Sequence, residues 1–186
     1  LSTAIRHDRP FSSGISVSSG LGPIDLKAEW SLFKNIQQSF YEGNLDFNTF
    51  EFPTEISNKE KWMSQTLIGF ELPIGYNDND QIIFGTEYFY NQLGYSDDNL
   101  YPWLMYQKSF VPLYIGRNYA GLYTVLLDPF DFNDSTIIIT AIGNLNDKSY
   151  MTRIQHTLQT LTYLDITSYL NYHFGNEGGE FKFSVT

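Results

Sequence analysis

Apolar and polar residues alternate along most of the chain, with the period of two that is typical of β-strands whose two faces differ. Between Ile24 and Leu32 every second side chain is apolar, and the residues between them are polar or charged. The pattern predicts an all-β, antiparallel, up-and-down fold with about 8–10 strands. The nine segments that carry it are 13–19, 24–33, 62–74, 81–91, 117–127, 135–145, 150–159, 164–174 and 180–185.

The segment 150–164 has a second, competing period. Its apolar residues Met151, Ile154, Leu158, Leu161 and Leu164 recur at spacings of three and four, as on one face of a helix. Five threonines between residues 152 and 167 oppose a helix, because β-branched residues favour strands. We favour a strand followed by a turn near 160–163, and a helix is the alternative.

The connections between the predicted strands are of two kinds. Long loops are predicted at 35–59 and 92–113, and short links join most other strands. In a simple up-and-down order, the long loops lie at one end of the sheet. Residues 1–12 are predicted to be a loop-like start, and we find no repeat or linker. The chain is therefore predicted to be a single domain over residues 1–186.

Composition narrows the class of protein. The 186 residues include 11 Lys+Arg and 21 Asp+Glu, a formal net charge of −10, which argues against nucleic acid as a partner because phosphate contacts need a basic patch. There is no cysteine, so a disulfide framework and a thiolate metal site are excluded. No apolar run approaches the ~18–20 residues of a membrane-spanning helix.

Two kinds of protein produce strands with one apolar and one polar face. In a soluble sandwich the apolar face packs inward, and in an outer-membrane barrel it faces lipid while the polar face lines the lumen. Strands of about 10 to 13 residues match the length that crosses a bilayer at a tilt. Aromatic residues such as Trp30, Trp62 and Tyr172 lie near the ends of the apolar faces, as in interfacial girdles. These features favour a transmembrane β-barrel.

The chain resembles a porin-like bacterial outer-membrane β-barrel protein. The resemblance is strongest over 85–186, which contains Tyr88-Phe89-Tyr90 and Tyr169-Leu170-Asn171-Tyr172-His173-Phe174. Phe181 and Phe183 are similar to the aromatic residues near the end of such barrels. The resemblance implies a place in the bacterial outer membrane, with the lipid bilayer and lipopolysaccharide as partners. It also implies small solutes and other outer-membrane subunits as further partners.

The alternation assigns side chains to the two faces. Those expected to contact lipid are Trp30, Phe70, Phe84, Tyr123, Leu170 and Phe183. Those expected to line the lumen are Lys27, Glu29, Glu71, Glu87, Arg153, Asp165 and Lys182. These charged side chains either set the ion selectivity of a pore or form ion pairs that fill the lumen.

The number of strands decides between functions. Single-chain bacterial barrels have an even number, so nine predicted strands leave two alternatives. If 13–19 does not span, eight strands form a barrel filled by side chains, which would be an anchor or adhesion surface. If an earlier stretch supplies further strands, the chain is part of a wider barrel. We favour the wider barrel, a porin-like passive channel for small solutes. A soluble, secreted β-sandwich that binds glycans is the third possibility.

Few residues suggest other chemistry. The histidines His7, His156 and His173 stand in no recognisable set of nucleophile, base and oxyanion donor, so we do not expect an enzyme. No cofactor is expected. The oxygen-rich pairs Asp78/Asp80 and Asp97/Asp98 are candidates for Ca²⁺, although Asx-rich turns form for reasons of their own.

The second long loop is rich in aromatic residues, among them Tyr95, Tyr101, Trp103 and Tyr106. Aromatic faces stack on sugars, so this loop is a candidate surface for a glycan or another partner. The alternative, which we favour, is that these side chains form a small core within the loop.

Overall fold

Eleven strands and two short helices make up the part of the chain that the structure describes. The structure is a computed structural model, and it describes residues 2–4, 11–36, 38–58, 60–76, 81–129 and 134–183. The elements in chain order are β1 (Ser2–Ala4), β2 (Phe11–Leu21), β3 (Ile24–Lys34), β4 (Phe40–Glu42), β5 (Thr54–Ile56), β6 (Met63–Gly75), β7 (Gln81–Asn91), α1 (Tyr101–Tyr106), β8 (Asn118–Leu127), β9 (Ser135–Asn144), β10 (Ser149–Leu161), β11 (Leu164–Gly175) and α2 (Glu180–Phe183).

One large sheet dominates the fold. Its nine strands are antiparallel and stand in chain order, β1-β2-β3-β6-β7-β8-β9-β10-β11, while β4 and β5 form a separate pair. The predicted all-β, antiparallel fold is confirmed. The two long connections, after β3 and after β7, lie at the same end of the sheet, which we call the loop end. The opposite end, where β2 joins β3 and β10 joins β11, is called the turn end.

Eight of the nine predicted strands are present, and each is long. The first is longer than predicted, because β2 pairs with β3 over its whole length from Phe11 to Leu21. The segment with two competing periods is the strand β10, a turn at Thr162 and Tyr163, and the strand β11. The interpretation as strand and turn is confirmed there, and the helix is not formed.

The predicted strand 180–185 is wrong. Residues Glu180–Phe183 form the helix α2, and Gly175 and Gly178 before it adopt positive φ angles of 113° and 89°, which end the extended conformation of β11. The carboxylate of Asp147 accepts a hydrogen bond from the backbone N–H of Glu180 at 2.9 Å, which caps the helix. The alternation of apolar and polar residues over Glu180–Phe183 therefore does not correspond to a strand with two different faces.

The predicted irregular regions contain local structure. Within the start predicted to be loop-like, Ser2–Ala4 pair with β2 and β2 itself begins at Phe11, so that prediction is wrong for these residues. Residues 5–10 lie outside the described residues. The first long loop carries the β4–β5 pair, and the second carries α1.

The two edges of the large sheet differ. Along β2, the outer edge is occupied by β1 only at Ser12, Ser13 and Gly14. Along β11, no described strand pairs with the outer edge, and β2 and β11 do not pair with each other. The described residues therefore form an open sheet rather than a closed ring.

The buried apolar core lies at the loop end, beyond the strands. It consists of Tyr41, Leu100, Tyr101, Leu104 and Ile115, which come from the two long loops. Neither of the two described helices is long or apolar enough to cross a membrane. The loops thus fold on themselves, and most of the long strands contribute nothing to this core.

Candidate functional site

The pairing register separates the long strands into an apolar and a polar face, since directly paired residues share a face. On the apolar face, Leu26 pairs with Phe70, Phe70 with Thr86, and Thr86 with Leu122. Large apolar side chains are exposed here, with Leu122 60% and Leu170 69% accessible. Over the eight long strands, all within the described residues, Lys34 at the end of β3 is the only Asp, Glu, Lys or Arg on this face.

The apolar face carries most of the residues expected to contact lipid, but not all. Trp30, Phe70, Phe84 and Leu170 lie on it. Tyr123 does not, because it pairs with Gly85 on the opposite face, so its assignment was wrong. Leu122 and Leu126, which alternate with Tyr123 along β8, lie on the apolar face instead. The side chain of Phe183 lies outside the described part of the structure.

The polar face brings together six of the seven residues predicted to line a lumen. They are Lys27, Glu29, Glu71, Glu87, Arg153 and Asp165. The seventh, Lys182, lies on α2, where its ammonium group is 3.4 Å from the carboxylate of Glu177, so its placement on a strand was wrong. Asp25, opposite Glu71, adds a further carboxylate to the face.

Most of these charges form a cluster on β3, β6 and β7. Four carboxylates, those of Asp25, Glu29, Glu71 and Glu87, share this area with a single ammonium group. That ammonium group, on Lys27, is 3.6 Å from Glu29, and both side chains are about half exposed. The cluster is therefore accessible to solvent and carries an excess of negative charge.

Arg153 and Asp165 lie away from the cluster, on the last two strands. The Nε of Arg153 donates a hydrogen bond to Asn171 Oδ1 at 2.8 Å, and its guanidinium lies 4.8 Å from the ring centre of Tyr169. Asp165 pairs with Gln159 at the turn end. Arg153 is thus held in place by its neighbours on the same face.

At the loop end the aromatic residues singled out from the sequence have different environments. Tyr101 is fully buried in the core, and the hydroxyl of Tyr95 accepts a hydrogen bond from the backbone N–H of Tyr41 at 3.1 Å. Trp103 is half-buried, and its indole N–H is buried without a hydrogen-bond partner among the described residues. Tyr106 is 77% exposed. Only the last two of these side chains line a cavity of apolar character.

Two cavities flank this core. The larger, about 580 Å³, is lined by Leu45, Phe47, Phe52, Pro102, Trp103 and Tyr106, and we call it the aromatic cavity. The smaller, about 270 Å³, is more polar, and Glu42, Tyr95, Asp97 and Arg117 are among its lining residues. Phe47 and Phe52 come from the first long loop, where sequence reasoning singled out no aromatic residue.

A buried network of polar groups joins α2 to the sheet. The carboxylate of Glu180, fully buried, accepts hydrogen bonds from the Tyr119 hydroxyl at 2.7 Å, from Asn144 Nδ2 at 2.9 Å and from the backbone N–H of Leu113. Burial raises the pKa of this carboxyl group, and its three hydrogen bonds oppose the shift. Because these residues are far apart in sequence, no local pattern pointed to the network.

Of the two oxygen-rich pairs considered for Ca²⁺, the structure describes Asp97/Asp98. Asp97 accepts a hydrogen bond from the backbone N–H of Asn99 at 3.1 Å, as in an Asx turn. Asp78 and Asp80 lie outside the described residues. Among the residues that are described, no group of three or more His, Cys, Asp or Glu side chains could hold a metal ion.

The two histidines that the structure describes contact neighbours without forming a catalytic set. His156 Nε2 is 2.9 Å from the hydroxyl of Ser135, but Ser135 is only 4% exposed and no carboxylate is hydrogen-bonded to the other ring nitrogen in the described structure. His173 Nδ1 is 2.8 Å from the backbone oxygen of Phe181. His7 lies outside the described residues.

Comparison with protein-family models, curated proteins and solved structures gave no match.

Proposed function

We propose that the large sheet is part of an outer-membrane β-barrel that acts as a passive, porin-like channel for small solutes. The observation that carries the proposal is the contrast between its two faces. The apolar face has exposed large side chains and one charge at its margin, whereas the polar face has five acidic and two basic residues. A bilayer outside and water inside would satisfy both faces.

Strand length supports a membrane location. The eight long strands contain 10 to 13 residues, which corresponds to about 33–43 Å of extended chain at ~3.3 Å per residue. At a tilt of about 40° they span roughly 25–33 Å, close to the apolar band of an outer-membrane barrel. The partners of this surface are then lipid and lipopolysaccharide, in the outer membrane of a bacterium.

The edges of the sheet support a barrel wider than eight strands. Closure of the eight long strands would require β2 to pair with β11, and part of that edge of β2 already holds β1. With further strands between the edges, the ring would enclose a water-filled lumen rather than a side-chain core. On the polar face the space over Gly121 is open, since a β-carbon there would come no closer than 4.0 Å to its nearest neighbour, and this leaves room for such a lumen.

The charge on the polar face gives the channel a preference for cations. Its five carboxylates outnumber Lys27 and Arg153, so the potential along the lumen wall attracts positive ions. The four carboxylates near Lys27 dominate this preference, because Arg153 lies on the other side of β8 and β9.

The proposal is tested by reconstituting the full chain in planar bilayers. We expect conductance with a cation preference, and we expect Glu29→Gln with Glu87→Gln to lower the ratio of cation to anion permeability. Glu55→Gln, an exposed change in the first long loop, is the matched control and leaves the ratio unchanged.

Two results would contradict the channel, and a third would contradict the role of the polar face in it. A closed ring of eight strands without conductance would favour the filled anchor. A monodisperse protein that needs no detergent and binds no lipid would favour the soluble glycan-binding module. Conductance with an unchanged permeability ratio in the double variant would mean that the polar face does not line the conduction path.

A further inference from the structure

The aromatic cavity lies at the loop end, and none of its lining residues belongs to a strand of the large sheet. Its volume of about 580 Å³ lies within the range of ~300–1,000 Å³ that is usual for small-molecule sites. Five of its six lining residues are aromatic or proline, and the sixth is a leucine. The cavity can therefore hold the apolar part of a ligand away from water. It has few polar groups that could form hydrogen bonds with sugar hydroxyls.

The rings around this cavity are in mutual contact but not parallel. The ring centres of Phe47 and Phe52 are 6.3 Å apart at an interplanar angle of 82°, and Phe52 and Trp103 are 6.0 Å apart at 40°. Trp103 and Tyr106 are 5.7 Å apart at 34°. Because the planes differ, ring faces point in several directions. The face of an aromatic ring is electron-rich and attracts a cation within about 6 Å.

The loops that carry these rings are acidic. The two long loops, residues 35–59 and 92–113, contain six carboxylates and two basic residues, Lys59 and Lys108. Asp46 lies in sequence between the lining residues Leu45 and Phe47. Its carboxylate accepts a hydrogen bond from the backbone N–H of Asn48 at 2.8 Å, and this bond lowers the pKa of Asp46. Backbone hydrogen bonds of 3.0 and 3.1 Å hold Asp46 opposite Glu51, the neighbour of Phe52.

We propose that the aromatic cavity binds a hydrophobic organic cation, of the class of aromatic or alkyl quaternary ammonium compounds. The apolar body of such a ligand fills the cavity, and its charge lies over the ring faces. The carboxylates of Asp46 and Glu51, which are next in sequence to lining residues, attract this charge and repel an anion of the same size. The site is independent of the proposed channel, because its residues belong to the loops and binding does not require a bilayer.

The test is a calorimetric titration of the detergent-solubilised full chain with three probes of one size. They are benzyltrimethylammonium, its neutral isostere neopentylbenzene, and the phenylacetate anion. We expect saturable binding of the cation, weaker binding of the neutral compound by about 2- to 30-fold, and no binding of the anion.

Two variants and a control assign the binding to the cavity. Trp103→Leu and Phe47→Leu keep apolar area but remove a ring, so each should weaken cation binding by about 2- to 30-fold. The effect on the neutral probe should be smaller. Trp30→Leu, on the exposed apolar face of the sheet, should leave cation binding unchanged.

Phe47 is 71% exposed, so its replacement keeps the test valid if Trp103→Leu fails to fold. Equal affinity for the cation and the neutral probe, any binding of the anion, or no saturable binding would overturn the proposal. So would an equal loss in Trp30→Leu, since that result would place the ligand on the sheet or in the detergent.

Discussion

The hydroxyl of Tyr123 donates a hydrogen bond of 2.6 Å to Glu71 Oε2, although a whole strand lies between them. Glu71 is on β6, Tyr123 is on β8, and the residue paired with both is Gly85 on β7. Because Gly85 has no side chain, the tyrosine ring lies across it and reaches the far strand. A β-carbon at this position would overlap that ring.

Gly85→Ala is therefore expected to destabilise the protein. The new methyl group displaces the Tyr123 ring, so the hydrogen bond to Glu71 is lost and the crowding costs about 1–3 kcal/mol. The midpoint of thermal unfolding in detergent measures this loss.

The matched control for this substitution is Gly121→Ala on the same face. A β-carbon there comes no closer than 4.0 Å to its nearest neighbour, the backbone oxygen of Ala141, so the midpoint should barely change. Equal effects of the two substitutions would mean that the ring does not rest on Gly85.

Phe70→Arg is expected to damage assembly more than Glu71→Gln does. Phe70 is on the exposed apolar face, and an arginine at the midplane of a bilayer costs about 2–4 kcal/mol. Glu71→Gln keeps a side chain of the same shape on the polar face. Refolding into detergent or lipid, followed by the heat-dependent gel mobility of folded barrels, measures the yield of each variant. The opposite ranking would reverse the assignment of the two faces to lipid and water.

The attachment of α2 should weaken as pH rises. The pKa of Glu180 is raised above its ordinary value of 4.5, so the folded state binds this proton more tightly than the unfolded state does. Its contribution to stability is thus fully present below pH about 4.5 and is lost as pH rises through the higher pKa of the folded state. Thermal unfolding measured from pH 4 to pH 8 reports this slope.

Glu180→Gln should flatten that slope, because an amide does not titrate. Glu177→Gln serves as control, since Glu177 is exposed on the same short segment and forms the salt bridge with Lys182 described above. If the slope persists in Glu180→Gln, a group other than Glu180 carries the pH dependence.

The sequence predicts the strands well because alternation is a local property. Eight long strands and the position of both long loops follow from it. Tyr123 was placed on the wrong face because β8 has apolar residues at successive positions, so alternation alone does not orient it. Its orientation depends on Gly85, a residue on another strand.

The parts that sequence reasoning missed depend on contacts between distant segments. The segment from residue 180 alternates like a strand, yet Asp147 caps it as a helix and Tyr119 and Asn144 bind the carboxylate of Glu180. The aromatic cavity likewise combines Phe52 from one loop with Trp103 from another. A period along the chain carries no information about either arrangement.

The agreement between strand order and chain order has a consequence for how the sheet assembles. The hairpins β2–β3 and β10–β11 close through two-residue turns, and such short closures have the smallest entropic cost and the fastest formation. Assembly can then proceed by adding each strand to the one made just before it. Only the steps from β3 to β6 and from β7 to β8 must close a long segment, and there β4–β5 and α1 order part of that segment locally.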